Sequence, residues 1–192
     1  MKIKEAEKLA LRLMKKWDLI PLWGFSFDRS KKRFGMCKPS TKEITLSKKL
    51  VKMNDVKHVK DTILHEIAHA LEWEEKGKTG HGSNWKRWAV KVGAVPRACY
   101  KSKEVTQPPY KYFDYCPHCK KTRGRHRKRS KNNLVASCSA CCSTFNPDYI
   151  VIFNIPINKI EGIKSGNIKW QKLKQTEKTI NEVKKKLSKK EW

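Results

Sequence analysis

Apolar residues recur three and four apart at the start of the chain, where Ile3, Ala6, Leu9, Ala10, Leu13 and Trp17 fall on one side of a helix. Residues 2–17 are therefore predicted to form an amphipathic helix that stops before Pro21. The period then shortens. Leu22 to Phe27, Arg33 to Cys37 and Glu43 to Ser47 read as three short strands, separated by turn-forming Asp28-Arg29-Ser30-Lys31 and Pro39-Ser40-Thr41. Helical spacing returns at Asp55, with Val56, Val59, Ile63, Ile67 and Leu71 on one side of a segment that reaches about Glu75 and is broken by Gly77 and Gly80. A further helix fits Asn84 to Val92, ahead of Gly93 and Pro96. The organisation expected is an α+β domain over residues 1–100, with helices and a short three-stranded sheet. A linker follows over 101–111, containing Pro108-Pro109, and then a second module over 112–163 and a lysine-rich tail over 164–192, helical or disordered.

The longest helical segment carries the H-E-x-x-H pattern at His65-Glu66-Ile67-Ala68-His69. Side chains four apart stand about 40° apart around a helix axis, so both imidazoles reach one ion, and Glu66 lies about 60° beyond His69 on the same side. Ile63, Ile67 and Leu71 point the other way, into a core. Zinc suits imidazole ligands and a position open to water, whose pKa then falls to about 7, so Glu66 is placed as the general base. A third ligand is required. The metzincin spacing would put a glycine and then a histidine where this chain has Glu72 and Glu75. His81, between Gly80 and Gly82 where the backbone can turn back toward the helix, is the best candidate. Glu72, Glu74 and Glu75 are the alternatives, pointing outward or too far along the helix. His58, two turns before His65, either lines the cleft or is a solvated surface histidine.

These residues carry a family resemblance. H-E-I-A-H-A-L followed by G-H-G-S-N-W-K-R-W-A, with R-F-G-M-C, I-T-L-S and D-T-I-L leading into it, resembles the SprT-like family, which includes the Spartan protease. The resemblance implies a zincin-type metalloprotease domain over residues about 4–100, with His65, His69 and His81 as zinc ligands and Glu66 as the catalytic acid-base residue. It also implies a following zinc ribbon and, by analogy with the eukaryotic Spartan branch, cleavage of proteins crosslinked to DNA.

Cys116-x-x-Cys119 and Cys138-x-x-Cys141, with 18 residues between the pairs, have the spacing of a four-thiolate structural zinc site. Two zinc ions are therefore expected, one catalytic and one structural. Cys142 is an alternative to Cys141, His118 reads as a bystander, and Cys37 and Cys99 read as small buried hydrophobes. Charge adds a partner. The chain has 45 Lys and Arg against 18 Asp and Glu, a net charge of +27, which points to nucleic acid. Between the cysteine pairs Lys120, Lys121, Arg123, Arg125, Arg127, Lys128, Arg129 and Lys131 form a run without acids, a candidate contact for DNA, single strands included. Tyr110, Tyr112, Phe113 and Tyr115 are candidate base-stacking groups nearby. In the tail, Leu173, Thr176, Ile180, Val183 and Leu187 form a narrow apolar stripe.

The N-terminus has charges throughout and no apolar core of signal-peptide length, and no run approaches the roughly 20 apolar residues of a membrane span. The expectation is a cytoplasmic, nucleoid or nuclear protein that is not secreted and has no membrane partner. The leading function is a zinc protease acting on DNA-associated proteins. The rivals are a DNA-binding protein with a purely structural zincin domain and a zinc hydrolase of a non-protein substrate. Retention of His65, Glu66, His69 and His81 argues against the structural reading.

Overall fold

The computed structural model describes residues 1–100, 104–130, 136–167 and 181. The chain divides into two compact units between Pro108 and Pro109.

In the first unit, α1 (Ile3–Lys16) buries Ala6, Ala10 and Met14, and its small residues allow close packing against α3. The strands β1 (Gly24–Asp28), β2 (Gly35–Lys38) and β3 (Glu43–Ser47) form a sheet in the order β1-β3-β2, with β1 parallel and β2 antiparallel to β3. The central β3 is covered on both faces, so Ile44, Thr45, Leu46 and Ser47 are all buried. β2 is an edge strand, half-buried along most of its length. The helix α3 (Val56–Lys76) begins at Asp55, whose carboxylate accepts the His58 N–H at 3.0 Å, and ends at Gly77 in the left-handed region at φ 64°. Val59, Ile63 and Ile67 bury the predicted stripe, with Leu71 partly buried against the same core. Val56 departs from it. Lying in the first turn, it is 54% exposed. α4 (Ser83–Val92) then packs on α3 through buried Trp85 and Ala89.

Two further differences from the sequence expectation belong to this unit. A short helix, α2 (Lys48–Met53), follows β3, started by the Ser47 hydroxyl accepting the Leu50 N–H at 3.2 Å. Six residues with two buried, Leu50 and Val51, are too few to display a period. The segment expected to be linker also contributes to the first unit. Val105 is buried in the core, and Asn54 holds Thr106 through two bonds of 2.9 and 2.8 Å. Asn54 lies beyond the last turn of α2, and its amide pairs with the backbone of this later segment.

The second unit is a sheet ordered β5-β4-β6, all antiparallel, from β4 (Tyr112–Tyr115), β5 (Thr122–Arg125) and β6 (Ile152–Pro156), followed by α5 (Ile160–Lys164). The buried apolar cluster is small: Tyr115, Ile152, Ile155, Ile160 and Ile163. Beside it lies Asp114, 3% exposed, with its carboxylate paired to Arg125 and Arg129. Asn154 interrupts β6 at φ 62° and accepts the Arg129 N–H at 2.7 Å, clasping the basic segment to the sheet. Within the basic run, Thr122–Arg125 is the strand β5. The tail's apolar stripe lies outside the described residues. Among the described residues no helix is long and apolar enough to cross a membrane.

Asp114→Ala should leave two half-buried guanidinium groups without their carboxylate and destabilise the second unit by about 3 kcal/mol, the scale for breaking a buried ion pair. Denaturant unfolding followed by the unit's tyrosines would measure it, and Asp114→Ala with an unshifted midpoint would contradict the pairing.

Candidate functional site

Helix periodicity puts His65 and His69 side by side on α3, and the turn after Gly77 returns His81 to them. Their Nε2 atoms lie 3.2 Å apart for His65 and His69, 3.1 Å for His69 and His81, and 3.2 Å for His81 and His65. A tetrahedral zinc ion with Zn–N bonds of about 2.0–2.1 Å needs nitrogens about 3.3 Å apart, so the triangle fits that ion. Three lone pairs converging this closely without a carboxylate among them call for a cation. Burial, helped by the neighbouring imidazoles, lowers His65 to about 4 and His69 to about 3. Burial lowers His81 too, against the charge of Glu72. Neutral imidazoles are the form that binds metal.

The surroundings hold these rings in place. Thr79 Oγ1 lies 2.7 Å from His69 Nδ1, a partner for the ring N–H that leaves Nε2 to the ion. Buried Glu72 accepts the Gly80 N–H at 2.9 Å and so ties the loop that delivers His81 back onto α3. Trp85 lies under the group, its ring centroid 4.7, 5.2 and 4.6 Å from those of His65, His69 and His81. Glu66 is buried against β2, where Oε2 accepts the Cys37 N–H at 2.7 Å. Burial pushes its carboxyl up to about 8, opposed by that N–H and by the charge of Arg33.

All four residues line a cleft of about 600 Å³ whose walls include Phe34, Met36, Thr62, Arg97 and Tyr100. His58 also lines it, with Nδ1 2.8 Å from Asp55 Oδ1. Cys37 is half-buried, its thiol pushed up to about 12 by burial and by the Glu66 charge, whereas Cys99 is exposed at the cleft, contrary to the expectation of a buried hydrophobe. Of the three glutamates after the motif, Glu74 and Glu75 point outward as expected and Glu72 is buried instead, and each is engaged. Glu72 holds Gly80, Glu74 accepts Trp23 Nε1–H at 2.9 Å, and Glu75 takes Trp88 Nε1–H at 2.6 Å and pairs with Arg87. None is among the clustered nitrogen ligands. Glu72 had a sequence signal, for it stands one turn after His69 on the motif's own side of the helix.

In the second unit the four sulfurs of Cys116, Cys119, Cys138 and Cys141 lie within 4.8 Å of one another. Cys116 and Cys141 are 3.8 Å apart, and Cys119 and Cys138 are 3.7 Å apart. Four thiolates about 2.3 Å from one tetrahedral zinc would be about 3.8 Å apart. Cys141 supplies the fourth sulfur, while Cys142 turns to the Cys138 carbonyl and His118 stands 3.6 Å from Cys141 Sγ, its ring against Tyr149.

The structure divides the basic run. Lys120, Lys121, Arg123, Arg127 and Lys128 are exposed, but half-buried Arg125 and Arg129 are turned onto Asp114, and Arg129 also covers the Phe153 ring. Lys131 lies outside the described residues. The nearby aromatics are engaged within the unit. Tyr110 packs on Gly124 and His126, Tyr112 lies under Lys128, Phe113 packs on the apolar cluster and Tyr115 is buried in it.

Residues 8–106 match the SprT-like family. The chain belongs to that family. It is 30% identical over 106 residues to Protein SprT of Vibrio atlanticus (strain LGP32), an overlap covering 53% of this chain and 64% of that protein. It is 34% identical over 70 residues to the Germ cell nuclear acidic-1 protein of Caenorhabditis elegans, covering 35% of this chain and 13% of that one. A looser structural likeness, with a TM-score of 0.38 and 15% identity over 52% of this chain and 85% of the other, is to the crystal structure of the metallopeptidase zymogen of Methanocaldococcus jannaschii jannalysin. The SprT-like match ends within the segment where Val105 and Thr106 pack on the first unit.

Glu72→Ala should free the SprT-like unit's Gly80 turn and lower its zinc affinity about 10–100-fold, as loss of a supporting group around a metal site does. Competition titration with a chelator reads this directly. An unchanged affinity would show that the loop needs no tether.

Proposed function

We propose that the chain is a zinc-dependent metallopeptidase that cleaves proteins bound or crosslinked to DNA, with a second zinc held by Cys116, Cys119, Cys138 and Cys141. The observation that supports the catalytic reading is the meeting of three Nε2 atoms, 3.1–3.2 Å apart, in one cleft with buried Glu66. His65, His69 and His81 would hold the catalytic ion. Zinc bound there supplies Lewis acidity, lowering the pKa of water and polarising a carbonyl. Glu66, ionised once the charge of a bound cation offsets its burial, would take the proton from the attacking water and return it to the departing amine. The cleft's apolar and cationic walls, Phe34, Met36, Arg33 and Arg97, receive the polypeptide beside it.

The DNA half rests on five exposed cations of the second unit, Lys120, Lys121, Arg123, Arg127 and Lys128, in a chain of net charge +27. Lys131 and the tail join them by sequence. Their role is to hold the protease on DNA near its substrate, and they supply no chemistry. Arg125 and Arg129 have a different part, since Asp114 takes them up in the fold. The setting for such a protein is wherever DNA is, in cytoplasm, nucleoid or nucleus.

Glu66→Gln should keep two equivalents of zinc and lose about 10²–10⁴-fold in cleavage of a basic protein on single-stranded DNA, the range for removing a general base. Near-normal turnover would end the assignment of Glu66.

With about four to six phosphates neutralised, affinity for an oligonucleotide should fall with log salt at a slope of roughly −3 to −5. Changing Lys120, Lys121, Arg123, Arg127 and Lys128 to glutamine should flatten that slope and weaken all sequences alike, with the unfolding midpoint unmoved. An identical slope in this variant would mean that the exposed run is only solvated.

A further inference from the structure

Two features of β2 meet Glu66, and neither is explained by holding a metal. The Cys37 N–H donates to Oε2 at 2.7 Å. Two residues earlier, a Cβ added at Gly35 would stand 2.6 Å from Glu66 Oε1 and 2.8 Å from its Cγ, and 2.8 Å from Thr62 Cγ2. Real Cβ atoms essentially never come so close, so any side chain at position 35 would occupy the space in which Glu66 lies. Glu66 has no other hydrogen bond among the described residues, which leaves Oε1 without a donor. The two oxygens of one carboxylate are therefore unequal: one accepts the strand's N–H, and the other lies beside Gly35 with no donor among the described residues.

We propose that β2 positions Glu66 for catalysis, the Cys37 N–H fixing Oε2 and the bare Cα of Gly35 making room for the side chain, so that Oε1 is the oxygen that exchanges protons with the reactants. This rests on the peptidase reading above. In hydrolysis water adds hydroxyl to the carbonyl carbon as the C–N bond breaks, and Oε1 carries the released proton to the departing amine, leaving Glu66 as it began. Gly35 and Cys37 are positioning residues, since they act through Glu66. Fixing one oxygen limits the side chain to the rotamer that keeps the other in reach. A displacement of about 1 Å in a reacting group is enough to cost about 100-fold in rate.

The test is a cycle in the full zinc-loaded chain, made on Thr62→Ser to remove the second obstacle while keeping a hydroxyl for the His58 carbonyl bond. Gly35→Ala is introduced with Glu66 present and with Glu66→Ala. The added methyl should lower the Tm where Glu66 is present and have little effect where it is Ala. In the Glu66 chain kcat should fall about 100-fold, with KM and zinc content held. Folding of the Gly35→Ala chain only when Glu66 is also Ala would be the same result in stronger form. An equal Tm loss in both backgrounds, failure of both to fold, or an unchanged kcat would overturn the proposal. The Tm arm stands even if the parent chain hydrolyses no protein, so failure of the peptidase reading and failure of the positioning role are told apart.

Discussion

The contact between α3 and the β2-β3 edge of the first sheet places nearly everything else in that unit. One side of α3 must be buried to hold the helix, and Val59, Ile63 and Ile67 do this against β3 and α1. The rest of the circumference is then fixed in angle, because a helix cannot turn one stripe without turning all. His65 and His69 come to the cleft, Glu66 comes onto the Cys37 N–H, and Glu72 comes under the returning loop. α4 completes the arrangement from below, where Trp85 touches all three imidazole rings.

The elements that carry this contact were the most legible in the sequence. Glu43–Ser47 was found with its bounds intact because β3 is buried on both faces and its apolar run is continuous. The long helix was visible because its stripe persists for several turns, and the histidine spacing follows from the same period. What stayed hidden were contacts set by tertiary proximity. Nothing local to Gly35 says that a carboxylate 31 residues away needs the space of its missing side chain. Nothing local to Asn54 says that it will take up Thr106. Glu72 misled for a related reason: a charged residue near a helix end reads as solvated unless its partner, here the Gly80 N–H, is known.

The second unit solves a different problem with different means. Its apolar cluster is small, and the sulfurs of two distant turns come within 4.8 Å of one another, a group that could hold a metal ion. Even part of its positive charge is structural, since Asp114 and Asn154 draw Arg125 and Arg129 onto the sheet. Composition alone counts those arginines with their neighbours. Only burial separates cations that hold the module together from cations turned to solvent.

The last turns of α3 carry three glutamates, each joined to a different part of the first unit: Glu72 to the Gly80 loop, Glu74 to Trp23 and Glu75 to Trp88. Inserting or deleting one residue between His69 and Glu72 would rotate all three by about 100° relative to the buried stripe. The helix therefore tolerates a change of residue type at many outward positions but not a change of length. Across descendants of this chain, gain and loss of residues should be confined to the turns on either side of α3, with its register inherited as a single unit.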